Sequence, residues 1–130
     1  MAFSAAVTEQ IVSGGSTVGQ TNDYSGDGRI SIDIAVADST TDQEVVFVLD
    51  VSQIQTIYVT ASTAMTIETN AVDATGGNTI VLVADVPLIW SLGGYYTNLF
   101  TQDIVTNIFV TNASGSNGTL KIECIYDSTL

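Results

Sequence analysis

The chain contains no histidine, one cysteine, one proline, one tryptophan and only two basic residues, Arg29 and Lys121. Each shortage closes a class of function. Without histidine there is no imidazole general base, no serine or cysteine triad built on one, and no histidine-bearing zinc site. A lone Cys124 forms neither an intrachain disulfide nor a thiolate metal cluster. Two bases supply no clamp for phosphate substrates, and no G-x-x-x-x-G-K loop occurs. Against fourteen Asp and Glu they leave a net charge of −12. Phosphate backbones and anionic bilayers repel such a surface, so neither nucleic acid nor membrane is an expected partner. The charge serves solubility, a basic partner, or mutual repulsion of β-edges. No stretch approaches the roughly 20 apolar residues of a membrane-spanning helix, and no basic segment followed by an apolar run marks a signal peptide.

Carboxylates are what remains for chemistry. A glycosidase needs only an acid pair at a set separation, which makes Asp33, Asp50, Glu68 and Asp85 the candidates. Each is expected on a strand's outward face or end, where a solvated carboxylate is the ordinary state. The sequence therefore reads as a non-enzyme without a cofactor. A calcium reading attaches to N-D-Y-S-G-D-G, where Asn22, Asp23 and Asp27 offer oxygen ligands in a Gly-rich stretch. The spacing is not that of an EF-hand loop and its closing Glu is missing. Asx-turns before a strand are the simpler reading.

What is present is β-structure. The 130 residues make one domain; 45% are hydrophobic and only 12% charged, so Thr, Ser, Asn, Gln and Gly must build much of the surface. Residues 2–12 alternate weakly, with Phe3, Ala5 and Val7 on one side, and read as a first strand or an extended arm. Residues 13–28 are Gly/Ser/Asp-rich without periodicity and read as a long loop, a hinge between segment 1–28 and a body over 29–130. RISIDIAV alternates strictly, which predicts a half-buried strand. EVVFVLD (44–50) and NTIVLVAD (78–85) are apolar on both faces, which predicts central or sandwiched strands. IQTIYVTA and AMTIETN place Ile57, Val59, Ala61, Met65, Ile67 and Thr69 inward, and Pro87 marks an edge strand, PLIWSL. The last two runs, IVTNIFVTN and TLKIECIYD, flank ASGSNG and read as an antiparallel hairpin with Leu120, Ile122 and Cys124 buried, closed by a free tail, DSTL. The sequons at Asn112 and Asn117 are read as turn residues. No helical spacing is sustained. Eight or nine short strands predict an all-β antiparallel sandwich, a jelly roll first and an immunoglobulin-like sandwich second.

Aromatics gather in one corner: Trp90, Tyr95, Tyr96 and Phe100, with Asn98 and Gln102 among them. They suit a protein contact, or a glycan platform of an adhesin or lectin-like module. Core packing of Trp90 and Phe100 is the plainer alternative.

From Thr79 to Ile125 the pattern runs TIVLVADVPLIW, GGYYTNLFTQD, IVTNIFVTN, a Gly/Ser turn and TLKIECI. It resembles the small jelly-roll capsid decoration (cement) proteins of tailed bacteriophages, through Tyr96, Asn98, Phe100, Asp103, Ile104, Thr111 and Asn112. The resemblance implies a non-enzymatic structural protein on the outer capsid surface of the virion. It would be a homotrimer that clamps neighbouring major capsid protein subunits. Phe3 and Val7 of the N-terminal segment, and Trp90, Tyr95, Tyr96, Asn98 and Phe100 of the corner, are the expected contact residues.

Overall fold

Alternation becomes a strand where one face has something to bury against, and here two sheets bury one another's faces. In the computed structural model, which describes residues 2–129, the strands are β1 (Phe3–Ser13), β2 (Ser16–Gly26), β3 (Gly28–Val36), β4 (Thr40–Asp50), β5 (Ile54–Ala61), β6 (Met65–Thr69), β7 (Thr79–Leu82), β8 (Leu88–Ser91), β9 (Ile104–Asn112) and β10 (Gly118–Tyr126). β1 and β2 form a hairpin of their own; the body is two four-stranded sheets, ordered β3-β10-β5-β8 and β4-β9-β6-β7. All pairings are antiparallel, and within the body they nest: β3 with β10, β4 with β9, β5 with β8, β6 with β7. One long antiparallel ribbon rolled into a sandwich has this order, so the body is a jelly roll. An immunoglobulin-like order is excluded.

The core lies between the sheets. Ile57, Val59, Ala61, Leu120, Ile122 and Cys124 face Phe47, Leu49, Met65, Ile67, Ile108 and Val110, all buried. The inward sets expected for β5 and β6 are the observed ones, Thr69 included. Burial pushes the Cys124 thiol up to about 12, which leaves it an inert apolar filler.

Four local readings are corrected. The terminal runs are strands but not a hairpin: β9 bonds to β4 and β6, whereas β10 bonds to β3 and β5 in the opposite sheet. A Ser/Gly/Asn cluster marks a reversal of the chain, and a reversal across the sandwich carries the same turn residues as one within a sheet. Residues 16–26 are a strand, not a loop. Gly14 and Gly15, at φ 56 and 82, make a two-residue turn between Ser13 and Ser16, as a type I′ hairpin requires. The β4 and β7 strands are not central but are the two edges of their sheet. The tail is not free up to Thr129: the Asp127 N–H donates to the Gln53 carbonyl at 2.9 Å, and Ser128 donates to Asp27 through both N–H and hydroxyl.

The β9–β10 crossing is held by Asn112, which is fully buried. Its Nδ2 donates to the carbonyls of Val36 (3.0 Å) and Ser116 (2.8 Å), while its Oδ1 accepts from the Ser114 N–H (3.1 Å) and hydroxyl (2.7 Å). Asn117 Oδ1 accepts from the Asp38 N–H at 2.9 Å. Both sequon asparagines are thus turn-building residues, one inside and one at the surface.

Candidate functional site: the N-terminal arm and the tyrosine corner

The β1–β2 hairpin lies over the outer face of the β3-β10-β5-β8 sheet. An outward residue on such a sheet is normally wet, yet Ile125 on β10 and Thr56 on β5 are buried. Residues 3–8 of the arm cover them, and leave a groove of about 620 Å³ that also touches Arg29, Tyr58, Ile89 and Glu123. Farther out the arm runs clear. Every residue from Thr8 to Asp23 is exposed, including Ile11 (72%), Val12 (64%) and Val18 (77%). At about 3.4 Å per residue, the stretch from Glu9 to the Gly14 turn projects roughly 17 Å.

The root of the arm is fixed by close approach and charge. Gly26 and Gly28 bring the chain against Tyr126, and a β-carbon on Gly26 would stand 2.1 Å from the Tyr126 carbonyl oxygen. Arg29 donates twice to Glu123, each bond 3.1 Å, and Ser31 donates to the same carboxylate. The Arg29 hydrogen bond chiefly, with Ser31 beside it, holds the Glu123 carboxyl below its usual range; the Ser128 hydroxyl and N–H do the same for Asp27. Both carboxyls stay ionised in the folded protein at pH values where the unfolded chain takes up protons. Their contribution is therefore complete above pH about 4.5 and is lost as pH falls through the depressed folded values. The Arg29–Glu123 pair is about half exposed, so water screens it and its contribution is small. Glu123→Gln is expected to flatten the stability profile between pH about 5 and 3 in urea unfolding, and an unchanged profile would refute the coupling.

The corner, residues 92–103, stands beside the arm. Tyr95 and Tyr96 are exposed and, with Glu9, Asn22 and Tyr24 of the arm, surround a groove of about 390 Å³. Trp90 pairs with Ile57 and packs against the core, and Phe100 is buried. Asn98 is spent locally, its Oδ1 accepting from the Phe100 N–H at 3.0 Å, and Gln102 Nε2 donates to Thr69 Oγ1 at 2.9 Å. Of the expected corner contacts, Tyr95 and Tyr96 are exposed, Trp90 and Asn98 are half-buried, and Trp90 lines a second groove of about 480 Å³ with Tyr96. On the arm, Phe3 and Val7 are half-buried and turn toward the body. They anchor the arm, and Ile11, Val12 and Val18 are its free apolar surface.

The remaining candidates do not assemble one site. Asn22 and Asp23 are successive strand residues opposite Val7 and Ala6, hence on opposite faces, while Asp27 is bound to Ser128. Among the described residues no group of three or more His, Cys, Asp or Glu stands close enough to hold a metal ion. Asp33 and Asp85 do line one shallow hollow with Lys121 and Thr60. Asp50 instead accepts from the Ser52 N–H (3.0 Å) and hydroxyl (2.6 Å) at the 3-10 turn Val51–Gln53, and Glu68 is on the other sheet. No protein-family model, curated protein or solved structure matches the chain.

Proposed function

We propose that this protein is a structural virion component that decorates a phage capsid and clamps neighbouring major capsid subunits, with the β1–β2 arm as the attaching part. The observation that carries the reading is the arm itself. A ribbon with Ile11, Val12 and Val18 uncovered on every side stabilises no core of its own, and a two-stranded hairpin is marginal in water alone. Such a segment gains its apolar burial on another molecule. The resemblance in the last third of the chain supplies the kind of molecule, and three copies about an axis would set three arms on one shell.

The arm can be shortened without disturbing its turn. Excising Ile11, Val12, Thr17 and Val18 takes two residues from each strand and keeps the strand pairing in phase. Loss of three apolar side chains from an interface is expected to weaken co-sedimentation with purified shells about a hundredfold or more, with thermal unfolding of the body unchanged. Undiminished binding would refute the arm's role, and absence of the intact chain from purified virions would refute the capsid. The three tyrosines around the 390 Å³ groove favour a glycan instead if sugar binding is saturable and is lost in Tyr95→Ala.

A further inference from the structure

The outer face of the β4-β9-β6-β7 sheet carries uncovered apolar side chains where an open sandwich face is ordinarily polar. Val46 and Val48 on β4 are 76% and 64% exposed, and Val81 on β7 and Val83 just beyond it are 73% and 60% exposed. Register places them on a diagonal. Glu44 and Glu68 flank Phe109 on either side, Val46 lies opposite Asn107, and Thr66 lies opposite both Thr111 and Val81. Val48 and Val46, Phe109, and Val81 and Val83 form an apolar diagonal on β4, β9 and β7 and just beyond it, bridged on β6 by Thr66. Asp42 and Glu44 border it on one side and Glu68 on the other. Arg29 and Lys121 both belong to the opposite sheet.

One atom of this face is unmatched. Glu68 Oε2 is buried without a hydrogen-bond partner among the described residues. That oxygen is closed to any partner, but Glu68 as a residue is only half-buried, and a cation brought by another molecule would meet the open side of its carboxylate and offset the cost of the shielded oxygen. We propose that this face is a docking surface for a protein partner presenting apolar side chains with a Lys or Arg among them, the cation meeting Glu68. A second copy of the chain fits poorly, because it would set Asp42, Glu44 and Glu68 against carboxylates with no intervening base. The inference stands apart from the arm and from the capsid reading, since it rests on this sheet alone.

Isotope-labelled full-length protein can be titrated, by NMR, with two short synthetic peptides of alternating leucine–arginine and leucine–glutamate. The leucine–arginine peptide is expected to shift the amides of Val46, Glu68, Val81 and Phe109 saturably, and the leucine–glutamate peptide to leave them unmoved. Glu68→Gln should weaken that binding about tenfold or more, and the paired V46T and V81T changes should weaken it with thermal unfolding unaltered. Asp33→Asn, on the other sheet, should leave it within about twofold. Three results would overturn the proposal: no saturable shift on this face, equal losses in Glu68→Gln and Asp33→Asn, or a wild-type dimer that V46T and V81T convert to monomer.

Discussion

Asn112→Ala is expected to cost about 3 kcal/mol and to lower the melting temperature by roughly 10 °C. The substitution removes the side-chain donor from the buried Val36 carbonyl and the acceptor for Ser114, and one of two side-chain donors to the Ser116 carbonyl, which keeps the Ser114 hydroxyl. Alanine replaces none of them, and water cannot enter freely, because Asn112 is fully buried. Buried acceptors stripped of their donor carry their whole desolvation penalty, which makes the loss larger than the net value of the bonds themselves. Asn117→Ala, in the same connection but exposed, should cost less than about 1 kcal/mol. Urea unfolding of the two variants tests the assignment, and equal small losses would remove Asn112 from its structural role.

Gly26→Ala is expected to destabilise the protein by about 1–3 kcal/mol and to loosen the arm before the body. The added methyl would meet the Tyr126 carbonyl oxygen at 2.1 Å and its carbon at 2.6 Å. Both are backbone atoms of β10, so no side chain can rotate away. The shift that follows lifts the root of the arm from Ile125 and Thr56. Amide exchange should quicken through β1 and β2 while Cys124 and Ile122, on the inner side, keep their protection. Ser25→Ala, the exposed neighbour, should change stability by less than about 0.5 kcal/mol. Unaltered exchange in the arm would show that its seat does not depend on the close approach at Gly26.

Both sites tell how far the sequence could be read. Alternation is a signal of burial on one side, so the strands around Ile57, Ile67 and Ile122 were legible with their inward residues. The β2 strand was not, because Ser16–Gly26 buries little on either face and therefore shows no alternation. The Gly14–Gly15 pair was its one local sign. Apolarity on both faces of β4 and β7 predicts a central or sandwiched position, yet both are edges with valines in solvent. Hydrophobic pattern records that a face is to be covered, without recording whether this chain does the covering. The terminal runs were correct as strands and wrong as partners, since turn residues mark a change of direction and not the sheet that receives it. Among the contact candidates, Phe3 and Val7 stood out through their alternation, and alternation led to the anchored root of the arm, not to its free tip.

The nested pairing has a consequence for the order in which the chain acquires structure. Gly28 pairs with Tyr126 and Val36 with Gly118, so the first strand of the body waits for the last. Only β6–β7 among the body's pairs joins neighbours in the chain. Closing distant pairings first requires closing the long loops between them, and such topologies fold slowly. While a ribosome still holds the C-terminal strand, β3 and β5 lack the strand that lies between them. During that interval β3 and β5, which share β10 as their partner, are open along the backbone edges it will cover. The strong excess of carboxylates then protects a nascent chain whose sheets are incomplete, by keeping copies apart until β10 arrives.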